Sequence, residues 1–187
     1  MITLSYLTMM EVNMGELWEL VDDKRRKTGL LHERGSNKAI PNGMFHIAAE
    51  VWIKNRRNEL LLTQRHPAKT FGLLWECSGG SVIAGEESLD GVIRELKEET
   101  GIEMSAKDLI YRGETFGKDF IIDTYLGILD TGDVSLTLQQ EEVFAARFIP
   151  IDKISELKEN IVDGTWERYS KFESRIREHT LPVQKEK

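Results

Sequence analysis

The sequence predicts an α/β (α+β) domain in which a mixed β-sheet packs against a few helices. Three observations carry this prediction. Short apolar stretches of strand length recur through residues 17–150. Two longer stretches, 87–100 and 165–179, repeat their apolar residues at helical spacing. Glycine, asparagine and proline punctuate the intervals, as turns between packed elements require. Strands interleaved with few helices suit a layered sheet-and-helix sandwich.

Taken in order, Leu17 to Val21 and Thr28 to Glu33 read as short strands around an Asp-Asp-Lys-Arg turn. Ser36 to Gly43 is a loop. His46 to Ile53 and Glu59 to Arg65 are two strands of a hairpin, with Lys54 to Asn58 as the turn. A polar connection, His66 to Gly72, leads to a strand over Leu73 to Ser78, and Gly79-Gly80 is expected to break it. The helix from about Glu87 to Thr100 ends on Gly101, placed where a left-handed cap is needed. Leu109 to Thr115, Phe120 to Leu129 and Ala145 to Pro150 are further strands, and Gly132 to Gln140 is a loop or irregular strand. Ile151 to Glu159 and Thr165 to His179 read as helical, and the tail PVQKEK as loose. The expected organisation is an N-terminal extension over 1–15, one domain over 16–160, and a C-terminal helix and tail over 161–187. Met14 is an alternative start.

The chain has 187 residues, 40% of them hydrophobic and 30% charged, which fits a single soluble globular domain. No apolar run is long enough for a membrane span, and the start MITLSYLTMM lacks a basic leader. One cysteine, Cys77, excludes an internal disulfide and fits a cytoplasmic location. The net charge of −7, without a long basic run, weighs against long nucleic acid as a partner. A small anionic ligand remains compatible where a metal mediates the contact.

The segment Gly79 to Ile102, GGSVIAGEESLDGVIRELKEETGI, concentrates acid. On a helix, Leu89, Val92, Ile93 and Leu96 form one stripe that can pack on a sheet. Glu95, Glu98 and Glu99 fall in an adjacent arc about 100° wide, and Arg94 sits beside Glu98 at i,i+4 spacing. Like charges at this spacing repel. Two readings stand: a solvated acidic face, or a site where hard cations such as Mg²⁺ offset the repulsion.

The order of residues separates them. Gly80, five residues, Glu86, seven residues, Arg94-Glu95-Leu96, one residue, Glu98-Glu99, one residue, Gly101-Ile102 is a complete Nudix signature. The chain resembles a Nudix protein over roughly residues 16–159. The resemblance implies a mixed sheet sandwiched between helices, with the signature (80–102) as a loop–helix–loop. It implies that Glu95, Glu98 and Glu99 bind metal with the Gly80 carbonyl, that Arg94 orients the glutamates, and that Glu86 supports the loop. The implied cofactor is Mg²⁺, with Mn²⁺ as an alternative, and the implied partner is a small-molecule diphosphate. A homodimer is a further expectation from the family.

The stretch GLLHERG…FHIAAEVWIKNRRNELLLTQRHPAKTFGLLWECSGG resembles the isopentenyl-diphosphate isomerase-like branch of Nudix proteins. That resemblance implies Arg65 and Lys69 as substrate-binding residues, since both match isomerase positions that contact the diphosphate. His46 matches a metal-ligating histidine there, and His32 fits a second less well. The isomerase cysteine and histidine positions, however, fall on Gly79 and Ser81, and the stretch GKDFIIDTYLGIL lacks the isomerase glutamate pair. Cys77 lies two residues early and reads as a small buried residue.

These departures favour a Mg²⁺-dependent hydrolase that cleaves a diphosphate linkage in a nucleoside diphosphate derivative or another organic diphosphate. The catalytic candidates are Glu98, Glu95, Arg94 and Glu142, the last in the loop LQQEEVF beside Glu141. An isomerase and a non-catalytic nucleotide sensor are the alternatives. Trp52, Phe71, Trp75, Phe116 and Tyr125 can each stack on a base, but core packing is expected of all five.

Overall fold

Strand β3 is the element from which the sheet is built. In a computed structural model, which describes residues 15–130 and 134–178, it runs from Met44 to Lys54. From Ala49 to Lys54 every residue of it is buried, as a strand covered on both faces requires. Alternation sends Val51 and Ile53 to one side and Trp52 to the other. One edge of β3 pairs in parallel with β8 (Phe120–Ile128) along its length, from His46↔Phe120 to Lys54↔Ile128. The other edge is shared. β1 (Leu17–Asp22) takes its start, β6 (Ser78–Ser81) its middle, and β4 (Glu59–Arg65) only its end, at Lys54↔Leu60.

The rest of the nine-stranded sheet follows from these edges. β2 (Lys27–Glu33) pairs β1, and β7 (Leu109–Phe116) pairs β8. β4 leaves β3 after the turn and pairs with β9 (Val143–Pro150) and with the two-residue β5 (Trp75–Glu76). Thus the chain from Trp75 to Ser81 crosses from the edge of β4 to the edge of β3. The hairpin turn forms as expected: Asn55 Oδ1 accepts from the amides of Arg57 and Glu59, and Asn58 adopts φ 60°.

Helix α1 (Ser88–Thr100) lies on one face, with Val92 and Leu96 fully buried beside Val51 and Ile53. It ends on Gly101 at φ 74°, whose amide reaches the Lys97 carbonyl. Helix α2 (Asp163–Arg177) covers the other face, where Tyr169, Phe172 and Ile176 join Trp52, Leu62 and Leu126. The expected mixed sheet between helices is therefore the architecture observed.

Four local expectations differ. Gly79-Gly80 does not end a strand; both glycines sit within β6, opposite Glu50 and Ala49. A Cβ on Gly79 would lie 2.4 Å from the Ala49 carbonyl oxygen, so the missing side chain allows the strands to approach. The strand expected over Leu73 to Ser78 is reduced to β5 and the start of β6. Phe71 and Leu73 hold left-handed backbone angles of 59° and 66°, which keep the preceding loop wound up to Leu73. Ile151–Asn160 is a 3-10 helix. Phe71 and Phe116 are exposed, whereas Trp52, Trp75 and Tyr125 are buried as expected. The N-terminal extension up to residue 14 and the tail from His179 onward lie outside the described residues.

Substituting Leu96→Ala removes a side chain with no exposed area between α1 and the sheet. The expected loss is about 2–5 kcal/mol, read from urea unfolding with an unchanged m-value. A loss below about 1 kcal/mol would mean that α1 does not pack as described.

Candidate active site

Where β4 and β3 part, an open cleft of about 370 Å³ faces solvent. One wall is β6 and α1, with Gly80, Glu95, Glu98 and Glu99. The other carries Arg65, Lys69, Gln139 and Glu142 from the ends of β4 and β9 and their loops. The sheet thus brings Gly80, Arg94, Glu95, Glu98, Glu99, Arg65, Lys69 and Glu142 to one place. Glu141 is exposed and does not line the cleft.

Arg94 organises the acidic wall. Its Nε donates to Glu86 Oε1 (2.8 Å) and its Nη2 to Glu86 Oε2 and the Ser81 carbonyl (both 3.1 Å). Its Nη1 donates to Glu95 Oε1 (2.8 Å) and Glu98 Oε2 (3.2 Å). These ion pairs hold the guanidinium firmly protonated and the Glu86 carboxyl below its ordinary range. Glu86 also accepts from the Ile83 amide at 3.3 Å, which closes the loop before α1.

The three glutamates of α1 differ in environment. Glu98 is half exposed. Glu95 is mostly buried, and desolvation raises its carboxyl despite Arg94. A Cβ on Gly80 would lie 2.4 Å from the Glu95 carboxyl carbon, so only glycine leaves that side chain its place. Glu99 is only 7% exposed, and its Oε2 has no hydrogen-bond partner. Burial first, then the negative charges of Glu76 and Glu95, push its carboxyl up to about 8. Among the described residues no three histidine, cysteine or acidic groups already converge at metal-ligand geometry; Arg94 draws Glu95 and Glu98 toward itself instead. The donor set nonetheless fits a hard divalent cation. It consists of oxygens alone, and one is a buried carboxylate oxygen that lacks a partner.

The cationic wall is already paired. Arg65 Nη1 donates to both carboxylate oxygens of Glu76 (2.7 and 2.9 Å), and its Nε to the Thr70 carbonyl (2.7 Å). Lys69 forms an ion pair with Glu142. The loop between them is bonded to the same region, with the His66 amide on the Glu142 carbonyl at 2.9 Å. Burial, then the Arg65 charge, lowers the Lys69 ammonium from its ordinary range.

Sequence reasoning missed three charged residues here. Glu16 and Arg34, paired at 2.6 Å, come from the β1–β2 ends and line the cleft mouth. Glu76 is mostly buried and fastens Arg65. Only its place in the strand-forming run Trp75 to Ser78 hinted that it was held by the sheet. His46 stacks on Trp18 at 4.0 Å, beside His32 on the same ring at 5.7 Å, and does not line the cleft. Cys77 is buried, and burial pushes its thiol well up.

A carboxyl raised on folding binds its proton in the native state up to a higher pH than in the unfolded chain. The Glu99 contribution is therefore neutral below pH 4.5 and unfavourable as pH rises toward 8. The metal-free protein should lose stability over that window, by roughly a few kcal/mol at most. Mg²⁺ or Mn²⁺ should restore it above pH 8, and Glu99→Gln should flatten both effects. Thermal melts across pH, with chelator and with metal, check this. A melting temperature that rises toward pH 8 without metal would contradict the described burial.

Comparison with known proteins places this architecture. The family model for the NUDIX domain matches residues 44–172. An uncharacterized Nudix hydrolase of Listeria innocua is 34% identical over 148 residues, covering 76% of this chain and 85% of the relative. One from Clostridium acetobutylicum is 28% identical over 165 residues, covering 81% and 78%. Among solved structures, DR0079 from Deinococcus radiodurans superposes with a TM-score of 0.62 at 16% identity, over 74% of this chain and 86% of that one. A bifunctional NMN adenylyltransferase/ADP ribose pyrophosphatase from Francisella tularensis, complexed with AMP and a Mn ion, gives 0.60 at 19%, over 74% and 43%. The structural likenesses show the fold; the family model and the Listeria relative go further, and on them the chain belongs to the Nudix hydrolases, enzymes of the pyrophosphohydrolase class.

Proposed function

We propose that this protein hydrolyses a diphosphate linkage in a nucleoside diphosphate derivative or another organic diphosphate, with Mg²⁺ or Mn²⁺ as cofactor. The observation that carries the reading is the opposition of two walls: Glu95, Glu98 and Glu99 face Arg65 and Lys69 across one cleft. An acidic wall suits cations and a basic wall suits phosphate oxygens.

Glu95, Glu98, Glu99 and the Gly80 carbonyl would hold the metal. When bound, it would neutralise phosphate charge and lower the pKa of water. The protein groups do the rest. Arg94 keeps Glu95 and Glu98 in position. Arg65, fixed by Glu76, presents its charge to a phosphate oxygen without having to be ordered first. Lys69 gives up Glu142 for the phosphate, and Glu142, so released, accepts the proton of the attacking water. The water oxygen bonds to one phosphorus, the bridging P–O bond breaks, and the leaving phosphate keeps its electron pair. The intact set of α1 carboxylates favours a hydrolase over a sensor. The burial of Cys77 gives no support to an isomerase thiol at that position. No described helix is long and apolar enough to cross a membrane; a cytoplasmic location and action on small molecules, as a monomer or homodimer, complete the reading.

The test is a panel of nucleoside triphosphates, ADP-ribose, NADH, CoA and isopentenyl diphosphate, incubated with Mg²⁺ and read by mass and phosphorus NMR. Cleavage of a diphosphate is expected. Conversion of isopentenyl diphosphate without loss of phosphate would establish the isomerase instead. Glu98→Gln should lower kcat by about 10³-fold or more with an unchanged melting temperature. Glu142→Gln should lower kcat by about 10²–10⁴-fold with little change in KM; a loss confined to KM would remove Glu142 from proton transfer.

A further inference from the structure

A second, smaller pocket of about 160 Å³ opens on the α2 face of the sheet. It shares Ala48, Gly79 and Gly80 with the catalytic cleft, so the two adjoin at β6. At its inner wall stands a charged pair that the hydrolytic reading does not use. Glu50, 4% exposed, accepts from Arg168 Nε at 2.7 Å and from Thr124 Oγ1 at 2.9 Å. Arg168 Nη2 also donates to Thr165 Oγ1 at 3.4 Å. Both Glu50 and Arg168 line the pocket.

We infer that this pocket receives the organic group on the diphosphate, and that the Glu50–Arg168 pair selects a polar nucleoside moiety over an isoprenoid chain. The inference rests on the hydrolase reading and narrows its substrate class. A guanidinium carries five N–H donors and a carboxylate about four acceptor positions. The contacts above occupy only part of each. A ligand with donors and acceptors of its own can pair with what remains. An alkenyl chain would strip water from both charges and return no hydrogen bond, which is costly for buried polar groups. Ala48 and Ile122 leave one apolar side for the flat face of a base or for a sugar. Gly79 and Gly80, which line both compartments, carry no side chains.

Arg168 also ties α2 to β3, so the test must separate recognition from fastening. The wild-type protein and Arg168→Lys, which keeps the charge and loses the fork, are assayed with Mg²⁺ on ADP-ribose and isopentenyl diphosphate. Wild type should favour ADP-ribose in kcat/KM by about 100-fold or more. Arg168→Lys should raise KM for ADP-ribose about tenfold with kcat nearly unchanged, and leave the isoprenoid rate unaffected. Equal losses on both substrates, or none, would reduce Arg168 to a structural tie and overturn the inference. So would a wild type that prefers the isoprenoid.

If wild type cleaves neither, the pocket is judged by binding; the hydrolase reading itself fails only if no diphosphate of the wider panel is cleaved. AMP, titrated by calorimetry, should bind wild type and weaken about tenfold in the variant; equal affinity or no binding overturns the inference.

Discussion

The guanidinium of Arg94 is the contact on which the site depends. It ties three segments that are separate in the chain: the Ser81 carbonyl of β6, Glu86 of the following loop, and Glu95 and Glu98 of α1. Without it, four carboxylates within a short loop and helix would repel at close range in a partly desolvated wall. With it, Glu86 is spent on holding the loop, Glu95 and Glu98 are drawn to one side, and Glu99 is left on the buried side with its Oε2 unpaired. One cation thereby sorts equivalent-looking acids into different roles. An exposed ion pair would contribute little; this one is three-quarters buried and multiply bonded.

The cleft exists because β3 and β4 meet only at Lys54↔Leu60. Beyond that point each takes different partners, β8 and β6 for one, β9 and β5 for the other. The gap is spanned by the chain from Trp75 to Ser81, whose glycines can lie close to β3 and to Glu95. Cations at the end of β4 then face carboxylates on α1. Two wound backbone positions, Phe71 and Leu73, hold the loop that carries Lys69. Left-handed angles at bulky residues cost energy and persist where the surroundings impose them.

Much of this was legible in order and spacing. The apolar stripe Leu89, Val92, Ile93 and Leu96 defined α1 and its buried side, because a helix repeats every 3.6 residues whatever it packs against. Strand positions were legible for the same reason at period two. The Gly79-Gly80 pair misled because glycine marks both chain breaks and close strand approaches, and only the partner strand distinguishes them. The exposure of Phe71 was illegible because composition favours aromatic burial, while a left-handed backbone angle at that residue reverses it; Phe116 is exposed at the end of β7.

By itself the sequence determined the fold class, the helix that carries the carboxylates, and the identity of Glu95, Glu98, Glu99, Arg94 and Gly80 as one set. The first two follow from local periodicity, and the set is what the resemblance of residues 80–102 to the Nudix signature implies. Only the tertiary structure decided that Arg65 is held by Glu76, that Lys69 is bound to Glu142, that Glu16 and Arg34 frame the mouth, and that Glu50 and Arg168 meet behind the two glycines. Glu142 lies 73 positions from Lys69, and Arg168 lies 118 from Glu50. The physical reason is that electrostatic pairing depends on distance in space and on local burial. Neither is encoded by neighbours in the chain until the sheet has chosen its edges.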